Sequence, residues 1–230
     1  MINESVRRNV STQMSHFAFK ESYRRNLPHV QPPGASFFVT FRLAGSLPQS
    51  LVTQWKRERE WLSHLKEHNA SYHELVKLNF ERVWFAKFES ILDSTSFGPV
   101  WLRQQSIAAI VAESIRYRDG RKFRLDAFTI MPNHVHLLIK PLQTSLDELA
   151  YYSLASIMQS LKGYTAYKCN KLLGRTGEFW AHESYDHYVR SQQEWWRIRN
   201  YVVKNPVKAK YVENWRDWKW NYLRLLKNAN

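Results

Sequence analysis

The chain has 230 residues, of which 44% are apolar and 15% aromatic, enough to bury the core of one medium-sized domain. Lysine and arginine outnumber aspartate and glutamate by 34 to 20, and the resulting formal net charge of +14 favours a polyanionic partner such as nucleic acid. The single cysteine, Cys169, excludes an intramolecular disulfide and a thiolate-rich zinc site, while the lack of a signal peptide or a long apolar run predicts a cytoplasmic protein that does not enter a membrane.

The N-terminal part is predicted to contain an arm, a strand and a helical insertion. Residues 1–33 are polar and end in a Pro-Pro-Gly sequence, which disfavours regular structure. From Phe37 to Leu43, alternate residues are apolar, which predicts a half-buried strand. Residues 49–93 carry apolar side chains at helical spacing and a capping box at Ser71 and Glu74, which together predict a helical hairpin.

The central part is predicted to form a helix followed by a β-hairpin. Ile107, Ile110 and Val111 share one face of a helix over 101–118, and the following Asp119-Gly120 ends it. Strands over 124–131 and 134–140 are then joined by a tight turn at Pro132-Asn133.

The C-terminal part is predicted to add two helices and a strand. A capping box at Ser145 and Glu148 starts a helix whose apolar stripe runs from Ala150 to Tyr164, and a strand follows over 185–189. Ser191 starts the last helix, which we expect to end near Asn205 because Pro206 disfavours helical geometry before it. This order predicts a ferredoxin-like α+β fold, an antiparallel sheet with helices on one face, over residues 34–215, with 216–230 as a tail.

Two histidines in the second strand of the hairpin are the strongest candidates for a metal site. His134 and His136 are two residues apart, so both imidazoles project from the same face of the strand. Imidazoles beside an oxygen ligand suit Mn²⁺ or Zn²⁺, and Mg²⁺ less well. His182 and His187 are weaker candidates for a third ligand. A second pair, Tyr201 and Asn205, shares a helix face at i and i+4.

Basic and aromatic residues provide candidate DNA contacts. The segment 162–175 contains no acidic residue, which suits a phosphate backbone, although a solvated helix face has the same composition. Lys204 and Lys208 flank Tyr201 and Asn205. Trp180 is a candidate for stacking on a base, although a place in the core is the commoner outcome for a tryptophan. The basic candidates in the acid-free segment are Lys162, Lys168, Lys171 and Arg175.

Three sequence blocks resemble one family, the HUH single-tyrosine transposases, and within it the REP-associated tyrosine transposases. The blocks are Met131-Pro132-Asn133-His134-Val135-His136-Leu137-Leu138, Gly177-Glu178-Phe179-Trp180 and the segment from Asn200 to Lys208. Their order and spacing resemble the family from about residue 34 to 215, except for the helical insertion at 49–93.

The resemblance implies a function and a role for each matching residue. His134 and His136 would bind Mg²⁺ or Mn²⁺, Asn205 would help to complete the metal site, and Tyr201 would be the nucleophile. The implied activity is cleavage and transfer of single-stranded or hairpin DNA through a 5′-phosphotyrosine link, by a monomer or a homodimer. Two alternatives remain: a non-catalytic nucleic-acid-binding protein on the same scaffold, and a metal phosphodiesterase that uses water.

Another tyrosine pair competes for the role of nucleophile. Tyr164 and Tyr167 lie in a basic stretch, but Tyr164 continues the apolar stripe of its own helix and is therefore expected in the core. Tyr201 lies beside the stripe of its helix and has Asn205 one turn further on. The sequence therefore favours Tyr201.

Overall fold

The computed structural model describes residues 22–25, 27–30, 32–65, 70–144 and 147–225. None of the helices within these ranges combines the length and the apolarity needed to cross a bilayer. In chain order the elements are β1 (Ser22–Arg25), β2 (Leu27–Val30), β3 (Phe37–Leu43), α1 (Gln49–Leu65), α2 (Ala70–Ser94), α3 (Gln105–Arg118), β4 (Phe123–Ile130), β5 (His134–Pro141), β6 (Gln143–Thr144), β7 (Asp147–Tyr151), α4 (Leu154–Leu172), β8 (Trp180–Tyr188), α5 (Gln192–Lys208) and β9 (Asn221–Leu223).

The main sheet has five antiparallel strands in the order β8-β3-β5-β4-β9. The succession β3, α3, β4, β5, α4, β8 is the β-α-β-β-α-β pattern of a ferredoxin-like fold. The predicted fold class is therefore confirmed, and the predicted strand from Phe37 to Leu43 has the bounds of β3.

The two faces of the sheet are covered by different helices, because successive residues of a strand point to opposite sides. On one face, α3 and α4 bury a large apolar core. The other face packs against α5 and also carries His134 and His136, which belong to the same strand as core residues Val135 and Leu137. The predicted placement of helices on one face thus holds for α3 and α4, whereas α5 packs on the other.

The predicted helical hairpin is present as α1 and α2, which pack through aromatic rings. The Trp55 and Phe88 ring centroids are 5.7 Å apart, and Trp84 donates a hydrogen bond of 2.9 Å to Glu58. The hairpin leaves and rejoins the fold at one point: a Cβ atom on Gly98 would lie 2.1 Å from the carbonyl oxygen of Gly45. Gly98, at φ +76°, is therefore required both by its backbone conformation and by this close approach.

Several predicted boundaries differ from the structure. The predicted arm contains a small hairpin of β1 and β2, while residues 1–21 lie outside the described part of the chain. The predicted tail contributes β9, which pairs with β4. Ser71 lies within α2 and so does not cap it, because that helix begins at Ala70.

The ends of two later helices were also predicted wrongly. α4 begins at Leu154 with Ser153 as its cap, because the preceding residues pair as β6 and β7. Ser145, the predicted cap, lies outside the described residues. α5 continues past Asn205 to Lys208 with Pro206 buried inside its last turn, where a proline removes only one helical hydrogen bond.

Candidate metal and tyrosine site

The two histidines converge as the sequence predicted. Both side chains are fully buried, and their Nε2 atoms lie 3.0 Å apart. β5 is the central strand of the sheet, so the neighbouring strands β3 and β4 fix its position on both sides. The Nε2 atoms therefore form a rigid pair of nitrogen donors.

Hydrogen bonds behind the rings orient both imidazoles. Asn133 donates from Nδ2 to the carbonyl of Leu92 at 3.1 Å, which turns its Oδ1 toward His134. His134 Nδ1 lies 2.7 Å from that oxygen and is therefore the protonated nitrogen, leaving the Nε2 lone pair free. His136 Nδ1 contacts Thr40 Oγ1 at 2.8 Å, which leaves its Nε2 facing the site as well.

Helix α2 contributes two carboxylates that the sequence analysis missed. Glu89 Oε2 lies 3.2 Å from His136 Nε2, and Asp93 Oδ1 lies 3.9 Å from His134 Nε2. Asp93 also accepts a hydrogen bond of 2.8 Å from Lys208. A signal for Glu89 is present in the sequence, since a carboxylate at i+4 from Phe85 and three residues before Leu92 lies on the apolar stripe of its helix.

Tyr201 and Asn205 reach the same place from α5. The Tyr201 hydroxyl donates a short hydrogen bond to Glu89 Oε2. Asn205 Nδ2 donates to the Tyr201 hydroxyl at 3.4 Å. The two residues predicted to share a helix face thus lie beside the two predicted histidines, and Glu89 connects the pairs.

The donor set fits a divalent cation. Glu89, His134 and His136 each offer a ligand atom, and these atoms all lie within 4.8 Å of one another. In addition, Glu89 Oε1, Asp93 Oδ1 and Asn205 Oδ1 are buried and have no hydrogen-bond partner among the described residues. Buried polar atoms are nearly always paired, so these oxygens together with the two imidazole nitrogens have the donor chemistry that a divalent cation would satisfy. Nitrogen and oxygen donors together suit Mn²⁺ or Zn²⁺ better than Mg²⁺.

The protonation states of Glu89 and His134 also suit the binding of a divalent cation. Burial raises the pKa of Glu89, but the facing imidazole of His136 and the Tyr201 hydroxyl outweigh it and lower the pKa to about 2. Burial and the neighbouring His136 lower the pKa of His134 to about 3. An ionised carboxylate and a neutral imidazole are the forms that bind metals.

The environment of Tyr201 keeps its hydroxyl protonated. Burial and the negative charge of Glu89 raise the pKa of Tyr201 above its usual value. Its ring packs edge-on against Phe38, with centroids 5.8 Å apart, and lies 5.5 Å from the His136 ring. Phe85 and Tyr185 extend this aromatic wall. The hydroxyl is thus fixed beside the donor set as a neutral phenol.

The predicted DNA-contact residues fall on two sides of the sheet. Lys204 and Lys208 are exposed on α5, on the side of the histidines. Lys168 and Lys171 are exposed on α4, on the opposite side. Arg175 follows α4 and stacks on Trp101 with its guanidinium 4.1 Å from the ring centroid.

Two of the residues predicted to contact DNA make hydrogen bonds within the protein. The Trp180 side chain is buried, and its indole donates to Thr165 Oγ1 at 2.8 Å, so no ring face is open to a base. The Lys162 ammonium donates to the carbonyls of Ala181 and His182 at 2.7 and 2.9 Å, which ties α4 to the edge strand β8. Both side chains therefore make hydrogen bonds that stabilise the fold.

The other residues considered as ligands or nucleophiles lie away from the site. Tyr164, which was expected in the core, is 49% exposed, and Tyr167 is 65% exposed, both on α4 across the sheet from His134. His187 bonds to Glu194 at 3.0 Å, and His182 is exposed.

Comparisons with known proteins find similarity to transposases. The family model "Transposase IS200 like" matches residues 102–205. A putative REP-associated tyrosine transposase of Haemophilus influenzae is 27% identical over 99 residues, which are 42% of this chain and 56% of the relative. The chain thus spans about half the length of that relative. A solved REP-associated tyrosine transposase bound to a REP hairpin shares 16% identity and a TM-score of 0.48 over 86% of this chain and 80% of that one.

Proposed function

We propose, from the match of residues 102–205 to the family model "Transposase IS200 like", that the chain is an enzyme, a metal-dependent DNA endonuclease and strand transferase. Its substrate is single-stranded DNA at REP-type hairpins, and its intermediate is a 5′-phosphotyrosine. The name of the Haemophilus influenzae relative supports the choice of REP DNA. A divalent cation, Mn²⁺ or Mg²⁺, is the cofactor.

One observation carries the proposal: the nucleophile and the metal ligands meet at a single carboxylate. Glu89 Oε2 accepts the hydrogen bond of Tyr201 and lies 3.2 Å from His136 Nε2. A tyrosine hydroxyl is a weak nucleophile at neutral pH and benefits from an adjacent cation and a proton acceptor. Both needs are met within one hydrogen bond of Tyr201.

The residues divide the chemistry between them. The cation supplies polarisation of the scissile phosphate and stabilises charge on its oxygens. Tyr201 Oη forms a bond to phosphorus while the bond to the 3′-oxygen breaks, and the departing 3′-oxygen takes up a proton from water to become a hydroxyl. The phenolic proton passes along the existing hydrogen bond toward Glu89. In the reverse step a 3′-hydroxyl attacks the phosphotyrosine, which joins strands without ATP.

Helix α5 places two further groups for the reaction. Asn205 donates to Tyr201 from Nδ2, and its unpaired Oδ1 is suited to complete the ligand set with His134 and His136. Tyr201 and Asp93 are partly exposed, whereas Glu89, both histidines and Asn205 are buried. The phosphate therefore approaches past the Tyr201 and Asp93 side chains. Lys208, exposed beside Asp93, lies on that approach and can contact the DNA backbone.

The test is a covalent-adduct assay with REP-type hairpin DNA that carries a single-stranded flank. With Mn²⁺ we expect a protein–DNA adduct on a denaturing gel, and peptide mapping should place the nucleotide on Tyr201. Tyr201→Phe removes only the hydroxyl, so the adduct and cleavage should vanish. Tyr188→Phe is the matched control, because Tyr188 packs against the other face of the sheet and should keep full activity.

Each other outcome selects an alternative. Metal-dependent cleavage without an adduct identifies a phosphodiesterase that uses water. Binding without cleavage at any metal concentration identifies a non-catalytic DNA-binding protein. An adduct that maps to Tyr164 or Tyr167 contradicts the assignment of Tyr201 while keeping the reaction class.

A further inference from the structure

A second aromatic and basic surface lies across the sheet from His134 and His136. It is formed by the outer sides of α3 and α4, whose inner sides cover the apolar core. Three tyrosine rings stand out from it, with exposed fractions of 65%, 49% and 65% for Tyr117, Tyr164 and Tyr167. We call this the α3–α4 surface, and its members are Tyr117, Arg121, Tyr164, Tyr167, Lys168 and Lys171.

A buried arginine beneath this surface has no acidic partner in the described part of the chain. Arg118 is buried and donates to the backbone and side-chain oxygens of Ser114 and Ser160, at 2.6 to 3.0 Å. Within the described residues it forms no ion pair, and its guanidinium lies 5.9 Å from the ring centroid of Tyr164. Neutral acceptors satisfy its donors but leave its positive charge uncompensated in a poorly solvated place. An anion bound at the surface would supply that compensation.

The side chains above Arg118 add to the positive charge. Arg121 lies 4.0 Å from the ring centroid of Tyr117, and the Lys168 ammonium lies 5.8 Å from that of Tyr164. The sequence of α4 contains no acidic residue, and Glu113 is the single one in α3. A merely solvated helix face usually mixes both signs of charge and does not expose three aromatic rings.

We propose that the α3–α4 surface is a second nucleic-acid site that holds a single-stranded DNA segment by its phosphates and by stacking of bases on the exposed tyrosines. Basic side chains with interleaved aromatic rings are the features that bind unpaired strands without sequence preference. The proposal rests on the proposed function only in taking DNA as the polyanion. Because the surface lies across the sheet, the segment held there is not the phosphate that Tyr201 attacks.

The experiment measures DNA binding by fluorescence anisotropy in the Tyr201→Phe background, so that it requires no cleavage. The probe is a REP-type hairpin with a long single-stranded flank. Replacing Tyr164 and Tyr167 by serine should weaken binding by at least about fivefold, whereas replacing both by phenylalanine should keep the affinity, since stacking needs the ring and not the hydroxyl. Equal affinities of the serine and phenylalanine variants would overturn the proposal.

Charge reversal provides the second arm. Lys168→Glu with Lys171→Glu should weaken binding and reduce the slope of log affinity against log salt by about 1.4, as expected for two phosphate contacts on a single strand. Lys56→Glu with Arg57→Glu, on exposed positions of α1, makes the same change in net charge and should have a smaller effect. An equal loss in both pairs would show that net charge alone acts, and an equal loss on a blunt duplex would contradict a single-strand site. Circular dichroism and a thermal melt of every variant, without added metal, check that the fold persists.

Discussion

The two faces of the β3–β5 pair are made from the same strands but have different roles. Val39, Phe41, Val135 and Leu137 point to α3 and α4 and are fully buried among other apolar side chains. Three residues that alternate with them, Thr40, His134 and His136, are also buried but polar, and they point to α2 and α5. A two-residue period thus separates stability from chemistry, with only the thickness of one sheet between them.

The comparison also shows how a polar interior can be held in place. The polar face has hydrogen bonds behind each imidazole and unpaired oxygens in front of them, so the donors are oriented before any ligand arrives. The apolar face supplies the rigidity that this orientation needs. Substitutions on the two faces are therefore expected to change different measured quantities.

The largest effect is expected on the polar face, from loss of an imidazole. If the proposed function is right, His136→Ala or His134→Ala should reduce DNA cleavage to below detection while DNA binding and folding persist, because the proposed site uses these imidazoles to hold the cation and the basic surface to hold the strand. Gel cleavage assays with added Mn²⁺ and anisotropy measure the two quantities. His182→Ala, at an exposed histidine, is the control and should cleave normally. Near-normal cleavage by either ligand variant would make the pair structural.

The next effect concerns the apolar face and appears in stability. Phe41 is fully buried, and its ring packs 4.8 Å from that of Trp180. Phe41→Ala should lower the free energy of unfolding by about 3–5 kcal/mol through lost burial and a cavity. Denaturant unfolding measures this, and Mn²⁺ should still stabilise the variant that folds. A loss below about 1 kcal/mol would mean that the core can collapse around the site.

A smaller effect on Mn²⁺ affinity is expected for one of the two threonines that flank His136 on neighbouring strands, and not for the other. Thr40 Oγ1 lies 2.8 Å from His136 Nδ1, whereas Thr129, opposite His136 on β4, has a buried hydroxyl with no hydrogen-bond partner in the described ranges. Thr40→Val should weaken Mn²⁺ binding by about 10- to 100-fold, because it removes the group that orients the ligand. Calorimetric titration measures this. Thr129→Val should leave metal affinity unchanged, and equal losses in both variants would contradict the orienting role of Thr40.

The smallest effect concerns the Cys169 thiol, whose alkylation the folded structure should slow. Cys169 is fully buried in the α4 side of the core, and burial raises the pKa of its thiol to about 12. The thiolate is the reactive form, so the folded protein should resist alkylation at pH 8 and react only after denaturation. Mass spectrometry of samples treated with iodoacetamide checks this. Rapid alkylation of the native chain would show that α4 opens readily.

The sequence predicts local features of this molecule better than features that join distant segments. The bounds of β3, the hairpin that carries His134 and His136, and the shared face of Tyr201 and Asn205 follow from two- and four-residue periods, which the backbone enforces. Glu89 was not predicted as a site residue because it is 45 positions before His134 in the sequence. The two side chains come together only through tertiary packing of α2. No local spacing connects the two.

The wrong assignments have a similar origin. A Ser-x-x-Glu pattern at 145–148 satisfies the rule for a helix start, but pairing of β6 with β7 prevails over it and Ser153 caps α4 instead. Tyr164, expected in the core, is exposed, and Trp180, a candidate for base stacking, takes the core place that is commoner for a tryptophan. Aromatic side chains suit both the core and a binding surface, so composition alone does not separate these outcomes.

The contact between Gly45 and Gly98 has a consequence for the evolution and engineering of the chain. Because the α1–α2 hairpin begins and ends where these glycines touch, its length can change without moving β3 or α3, and the entropic cost of a longer loop grows only slowly. The ferredoxin-like sheet and the hairpin can therefore vary as separate modules. Yet one of those modules carries Glu89 and Asp93, so exchanging the hairpin would change the donor set without altering any residue of the sheet.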